Sequence, residues 1–260
     1  MKVLINQSTP AFGNVAANLI TIERHCLTAQ CLQLDVVVFP ELFLSGYNIG
    51  DLVTTLAEEI DGPSVRRLQE IAVSSGVAII TGFAEKRGTK LYNSAIAIAA
   101  DGQIVGHHHK VFLFGKKEKQ TFFAGTEFPV FKLADRTCGL AICYDIEFPE
   151  VSRNMKRRGA EIIFVPTANM EPYFEVPTTL VRARALENGV AIVYANMCGT
   201  ESEQHYTGLS GVVLPDGKDL ARAGHDDCIL ICDLEPGLAK NKRMHSSSQL
   251  EDLIDAGLSL

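Results

Sequence analysis

Nothing in this chain announces a membrane, a nucleic acid or a nucleotide as its partner. No apolar run approaches the length needed to cross a bilayer. The 24 basic residues are outnumbered by 31 acidic ones, a net charge of −7, which argues against a nucleic-acid surface or an anionic membrane as the main partner. No glycine-rich phosphate loop follows a strand-like segment, and there is no internal repeat or low-complexity linker. Met1-Lys2-Val3-Leu4-Ile5-Asn6 lacks the long apolar core and cleavage site of a signal peptide and reads as a first strand. The seven cysteines are odd in number and scattered without a paired framework. They predict a reduced, cytoplasmic protein. Tryptophan is missing altogether.

What is present is enough apolar material for one large core, 47% of 260 residues, and hence for one domain. Asn14 can cap a helix whose inward stripe is Val15, Leu19, Ile22, Cys26 and Ala29. Pro63 sits where the first turn of a second helix tolerates a missing N–H. Val36 to Phe39 is continuously apolar, as in a strand covered on both faces, and Val77 to Phe83 reads as another. Ala100-Asp101-Gly102 marks a hairpin between Asn93–Ala99 and Gln103–His108. The second half predicts strands at 138–142, 161–165 and 190–196, with helices at 149–158 and 177–188. Val212–Leu214, the turn 215–218 and Ile229–Asp233 are expected to close its sheet, and 241–260 to be a polar segment followed by a short helix. Strands alternate with helices but hairpins interrupt them, so neither a simple parallel barrel nor a Rossmann domain fits.

Three strand-like segments end in one ionisable residue each: Val36–Pro40 in Glu41, Ile104–His109 in Lys110, and Gly139–Ile142 in Cys143. A thiol is mostly protonated at neutral pH and needs a base or a nearby cation to act as a nucleophile. A buried Glu41 with a raised pKa could take that proton. Lys110, with the backbone N–H of Tyr144, could hold the oxygen of a tetrahedral intermediate. Together they point to acyl transfer from an amide through a thioester.

The segments Phe39-Pro40-Glu41, Lys110 to Gly115 and Gly139 to Glu150 around Cys143 resemble the signatures of the nitrilase superfamily of carbon–nitrogen hydrolases. Asp61-Gly62-Pro63, Tyr92 to Ala95, Arg182 to Asn188 and Gly208 to Gly211 add to a resemblance that covers roughly residues 1 to 235. It implies an α/β fold, a four-layer α-β-β-α sandwich, as a single domain over 1–260 with a variable tail at about 241–260. It also implies a Glu-Lys-Cys triad at Glu41, Lys110 and Cys143, and a second glutamate, Glu118, that positions Lys110 and the substrate. Tyr144-Asp145 after the cysteine is similar to the amidase branches, where true nitrilases show Trp-Glu. The loop Thr167 to Tyr173 is similar to that of aliphatic or amino-acid-amide amidases, which places Tyr47, Phe114, Asn169, Met170 and Tyr173 near the substrate.

The expected activity is hydrolysis of a small aliphatic or amino-acid-derived amide to acid and ammonia, with no cofactor. A nitrilase or N-carbamoyl-amine hydrolase of the same superfamily is the alternative, as is a binding protein that keeps the fold without turnover. A homodimer or higher homo-oligomer is implied, although Ser246 to Leu250 and an acidic apolar tail stand where many relatives end in an arginine-rich segment. Cys26, Cys31, Cys138 and Cys198 read as inert buried residues. Arg182 and Glu187 read as a structural ion pair or a brace for the site, without a part in the chemistry. No metal is expected: neighbouring residues of His107-His108-His109 face opposite ways in a strand, so at most two could share a site. Cys228 and Cys232 share a strand face without companion ligands.

Overall fold

The computed structural model describes residues 1–241. Its first sheet has the strand order β14-β1-β2-β3-β4-β5. Those strands are β1 (Lys2–Gln7), β2 (Val36–Val38), β3 (Ala78–Arg87), β4 (Lys90–Ile98), β5 (Ile104–His109) and β14 (Cys228–Asp233). The second runs β13-β12-β9-β8-β7-β6. It is built from β6 (Val130–Leu133), β7 (Arg136–Leu140), β8 (Ile162–Thr167), β9 (Ala191–Asn196), β12 (Gly211–Val213) and β13 (Asp219–Arg222). A two-stranded ribbon, β10 (Cys198–Glu201) with β11 (Gln204–Thr207), stands apart. In each sheet three central strands are parallel, β1-β2-β3 and β7-β8-β9, and antiparallel strands flank them.

Period-two alternation explains the layers. Val3 and Ile5 of β1 face the second sheet and pack with Leu140, Phe164 and Val193, whereas Leu4 between them faces outward. The outward side is covered by α1 (Val15–Cys31) and α3 (Pro63–Ser75), through Ile22, Cys26, Leu68 and Ile71. The short α2 (Leu52–Leu56) lies between them in sequence. On the second sheet, Ile163, Val165 and Ile192 face α5 (Pro149–Arg157) and α6 (Val181–Asn188), through Val151, Met155, Val181 and Ala185. The central strands are therefore apolar on both faces, which is why they read as unbroken hydrophobic runs. The result is the α-β-β-α sandwich. Among the described residues no helix is long and apolar enough to cross a membrane.

The helix starts follow their sequence signals. Asn14 accepts a hydrogen bond from Ala17 N–H to cap α1, and Pro63 opens α3. Three expectations change. Ile229–Asp233 does not close the second sheet: β14 pairs antiparallel with β1, because β13, after the turn at 215–218, already occupies the edge beside β12. The helix expected from Pro177 begins as a π-helical turn, Val176–Leu180, before α6. Cys31 is exposed, since as the last residue of α1 it lies off the buried stripe. The segment expected at 241–260 lies, beyond Asn241, outside the described residues.

Candidate active site

Glu41, Lys110 and Cys143 all follow the carboxyl ends of strands, β2, β5 and β7, where open α/β sheets place their ligands. Two glycines make the approach possible. A side chain on Gly82 would sit 2.2 Å from Leu42 N, and one on Gly125 would sit 2.2 Å from the His109 carbonyl. Glu41 can thus lie against β3, and the segment after Lys110 can fold back on it, with Gly125 N–H donating to the Lys110 carbonyl at 2.9 Å.

Glu41 and Lys110 are both fully buried. Lys110 Nζ donates to Glu41 Oε1 and to Glu118 Oε1, each at 2.7 Å. Glu41 Oε1 also accepts from Asn93 Nδ2 at 2.6 Å. Glu118, on α4 (Gly115–Thr121), is fixed in turn by the Tyr47 hydroxyl at 2.6 Å and by Phe114 N–H at 2.7 Å. Two carboxylates thus share one ammonium. Burial raises the pKa of Glu41 and the second carboxylate adds to it, while Lys110 opposes both. Burial works against the charge on Lys110, yet Glu118 and Glu41 hold its pKa well above the ordinary lysine value. Glu41 Oε2 is buried without a hydrogen-bond partner. It is the carboxylate oxygen left to receive a proton.

Cys143 adopts φ +45°, in the left-handed region that a side chain adopts only under constraint. It opens a 3₁₀ turn, Cys143–Glu147. Asp145 supplies the constraint. Its Oδ2 accepts from Ile142 N–H at 3.0 Å and from His108 Nε2 at 2.7 Å, and its Oδ1 accepts from Val111 and Phe112 N–H at 3.1 and 2.8 Å. One buried carboxylate thereby ties the cysteine turn to the lysine loop. Burial, then Glu41, pushes the Cys143 thiol well above its ordinary pKa, while Lys110, the Thr167 hydroxyl and the Ala168 N–H pull the other way. A raised pKa favours the protonated thiol, so for Cys143 to act as a nucleophile it would need a base.

The cleft above Cys143 is narrow. Tyr47, Phe114, Tyr144, Asn169, Met170 and Tyr173 line it, all named from the sequence. Asn169 contributes shape more than a free amide: its Nδ2 donates to the Tyr173 carbonyl and to Thr207 Oγ1, at 2.9 and 3.1 Å. Glu147, which sequence reasoning passed over, lines the same cleft, and burial followed by Glu175 pushes its pKa up to about 7. Asp145, His108 and Asn93 were also missed as site residues. The alternation that sets His108 against its two neighbours was the available signal. The expected ion pair is corrected: Arg182 pairs with Asp219, whereas Glu187 pairs with Arg184 and Arg153. Helical spacing explains the change, because Arg184 and Glu187 are three residues apart on α6. Arg184 also donates to the Ile146 and Glu147 carbonyls, bracing the turn.

Comparison with known proteins settles the family. The carbon–nitrogen hydrolase family model matches residues 4–243. The chain belongs to the carbon–nitrogen hydrolases. Members of this family act on carbon–nitrogen bonds other than peptide bonds. The chain is 42% identical, over 94% of its length and 86% of the relative's, to a Pseudomonas protegens protein named "Hydrolase in pqqF 5'region". It is 33% identical to an (R)-stereoselective amidase from Pseudomonas sp., over 90% of this chain and 85% of that one. Among solved structures, a mutant amidase from Nesterenkonia sp. AN1, showing Michael addition of acrylamide at its active-site cysteine, superposes with a TM-score of 0.86. That match has 31% identity over 94% of this chain and 96% of that one.

Proposed function

We propose that the protein is an amidase that hydrolyses a small aliphatic or amino-acid-derived amide to its carboxylic acid and ammonia, with Cys143 as nucleophile. The observation that carries the reading is the buried Glu41–Lys110–Glu118 network set beside a thiol that is neutral at rest. Cys143 Sγ attacks the amide carbon as Glu41 Oε2 takes the thiol proton. The oxyanion is held by Lys110 and by the Tyr144 N–H. Collapse breaks the C–N bond, and the leaving nitrogen departs as ammonia with the proton held by Glu41. A water molecule then attacks the thioester and gives its proton to Glu41. The C–S bond breaks, the acid leaves and the thiol is restored. Glu118 keeps Lys110 aimed and charged throughout. No step calls for a cofactor.

Glu147 narrows the substrate class. A carboxyl group beside a small aromatic-walled cleft is suited to the ammonium of an amino-acid amide, which would draw it into its ionised form. The amidase names of the Pseudomonas and Nesterenkonia relatives support the reaction class. On cysteine usage we place the enzyme in the cytoplasm, and on family resemblance as a homodimer or higher homo-oligomer. The test is ammonia release from a panel of matched amides, amino-acid amides, N-carbamoyl amines and nitriles. Turnover of amides is expected, with amino-acid amides foremost. Turnover of a nitrile or an N-carbamoyl amine, with the corresponding amides inert, would overturn the reading.

A further inference from the structure

Three consecutive histidines close β5, and their alternation divides them. His108 points between the sheets to Asp145 and has no exposed side-chain surface. His107 and His109 share the opposite face, where both meet Glu85 of β3 across the intervening strand β4. Glu85 Oε2 accepts from His107 Nε2 at 2.6 Å and from His109 Nε2 at 3.0 Å. The register accounts for the shared face: β4 sets Tyr92 opposite Glu85, Ser94 opposite His109 and Ile96 opposite His107, and these three alternate residues of β4 point the same way.

We propose that Glu85, His107 and His109 form a binding site for a zinc-class divalent ion, separate from the Cys143 cleft. One potential donor atom from each residue lies within 4.8 Å of the others. Two imidazole nitrogens and one carboxylate oxygen are the borderline donors that Zn²⁺ and Co²⁺ prefer over Mg²⁺ or Ca²⁺. Ligand atoms about 2.0–2.2 Å from a single ion stand roughly 3 Å apart, so the present spacing needs only small side-chain shifts. Binding replaces the two N–H···O bonds. Each imidazole moves its remaining proton to Nδ1 and offers Nε2 to the ion.

The surroundings are arranged for a held ligand set with a way in. The Glu85 side chain is 3% exposed, whereas those of His109 and His107 are 17% and 32% exposed. The approach is therefore from the His107 side. Tyr92 stacks on the His109 ring, with centroids 4.1 Å apart, and fixes its plane. Three protein ligands leave a fourth position for water. β5 is the edge strand of its sheet and runs directly into Lys110. A bound ion thus joins β3 to that edge on the face opposite His108 and raises the stability of the strand that delivers the lysine.

The test is a Co²⁺ titration of the full chain carrying Cys143→Ser, which removes the active-site thiol as a competing ligand, followed by Zn²⁺ displacement. The expected result is one equivalent bound, with visible d–d bands, no sulfur-to-metal charge-transfer band, and a raised Tm. His107→Gln, at the most exposed of the three positions, should keep the metal-free circular dichroism and lose the bound equivalent. Failure to bind either ion stoichiometrically, binding that survives His107→Gln, or a charge-transfer band placing the ion on cysteine would each overturn the proposal.

Discussion

Cys138 and Cys143 lie five residues apart around the end of one strand, yet they have different chemical surroundings. Cys138 lies on β7 between the two sheets, fully buried, and burial pushes its thiol up to about 12. Its thiol makes a weak donation to the Arg136 carbonyl at 3.8 Å. Cys143 is also pushed up by burial, but the Thr167 hydroxyl and the Ala168 N–H point at it, and the buried Glu41–Lys110 pair stands near. Burial alone makes a thiol inert. Polar groups aimed at the sulfur, and a backbone held at positive φ to present it, set the proposed nucleophile apart from a core residue.

The sharpest way to break this contrast is to remove each sulfur in turn. Cys143→Ala should lower amide turnover by on the order of 10⁴-fold or more with little change in Tm, measured by ammonia release and calorimetry. If both cysteines were merely structural, the activity would survive.

The next effect concerns the clamp that gives Cys143 its geometry. Asp145→Asn keeps the shape but puts an N–H₂ where the carboxylate accepts from four donors. Leaving a buried donor unsatisfied costs about 1–3 kcal/mol, so Tm should fall. Misplacing the thiol and the lysine loop should cut kcat by roughly 100-fold while KM changes little. A loss of stability with kcat intact would show that Asp145 supports the fold without positioning the site.

A smaller effect separates substrates. Glu147 is neutral below a pH of about 7 and ionised above it, so kcat/KM for a cationic amino-acid amide should rise as pH passes through that value. A neutral amide such as butyramide should lack that limb. Glu147→Gln should remove it and cost the cationic substrate about tenfold, the scale of one charged hydrogen bond, leaving the neutral amide unchanged. Equal losses on both substrates would place Glu147 outside substrate recognition. The smallest change belongs to Cys138→Ala. It should leave kcat/KM unaltered and lower stability by about 1 kcal/mol, read from denaturant unfolding.

The layers of the fold were legible because both sheets are covered on both sides: runs such as Val36–Phe39 and Ile162–Val165 carry no polar face and leave few other readings. The fate of Ile229–Asp233 was hidden, because strand order depends on which edge is free, and β13 fills the place that sequence order suggests for β14. The Glu41 and Cys143 positions could be read because each ends an apolar strand with one ionisable residue, and Lys110, which follows three histidines, because the three segments stand in an order matching a known family. Asp145, His108 and Glu147 could not be ranked the same way. Their importance lies in what they meet across the sandwich: His108 reaches Asp145 from 37 residues away, and Glu147 matters because the turn aims it into the cleft. The Glu85 contact with His107 and His109 was likewise invisible, since the pattern of three histidines gives the shared face but not the partner two strands away.

The central claim is that Cys143 forms a thioester with the acyl part of an amide. Intact-mass and peptide-level mass spectrometry on enzyme quenched during turnover tests it directly. The account predicts an added acyl mass confined to the peptide that contains Cys143, absent from Cys143→Ala and from enzyme without amide. An acyl group on any other residue, or ammonia released by Cys143→Ala at the wild-type rate, would contradict it.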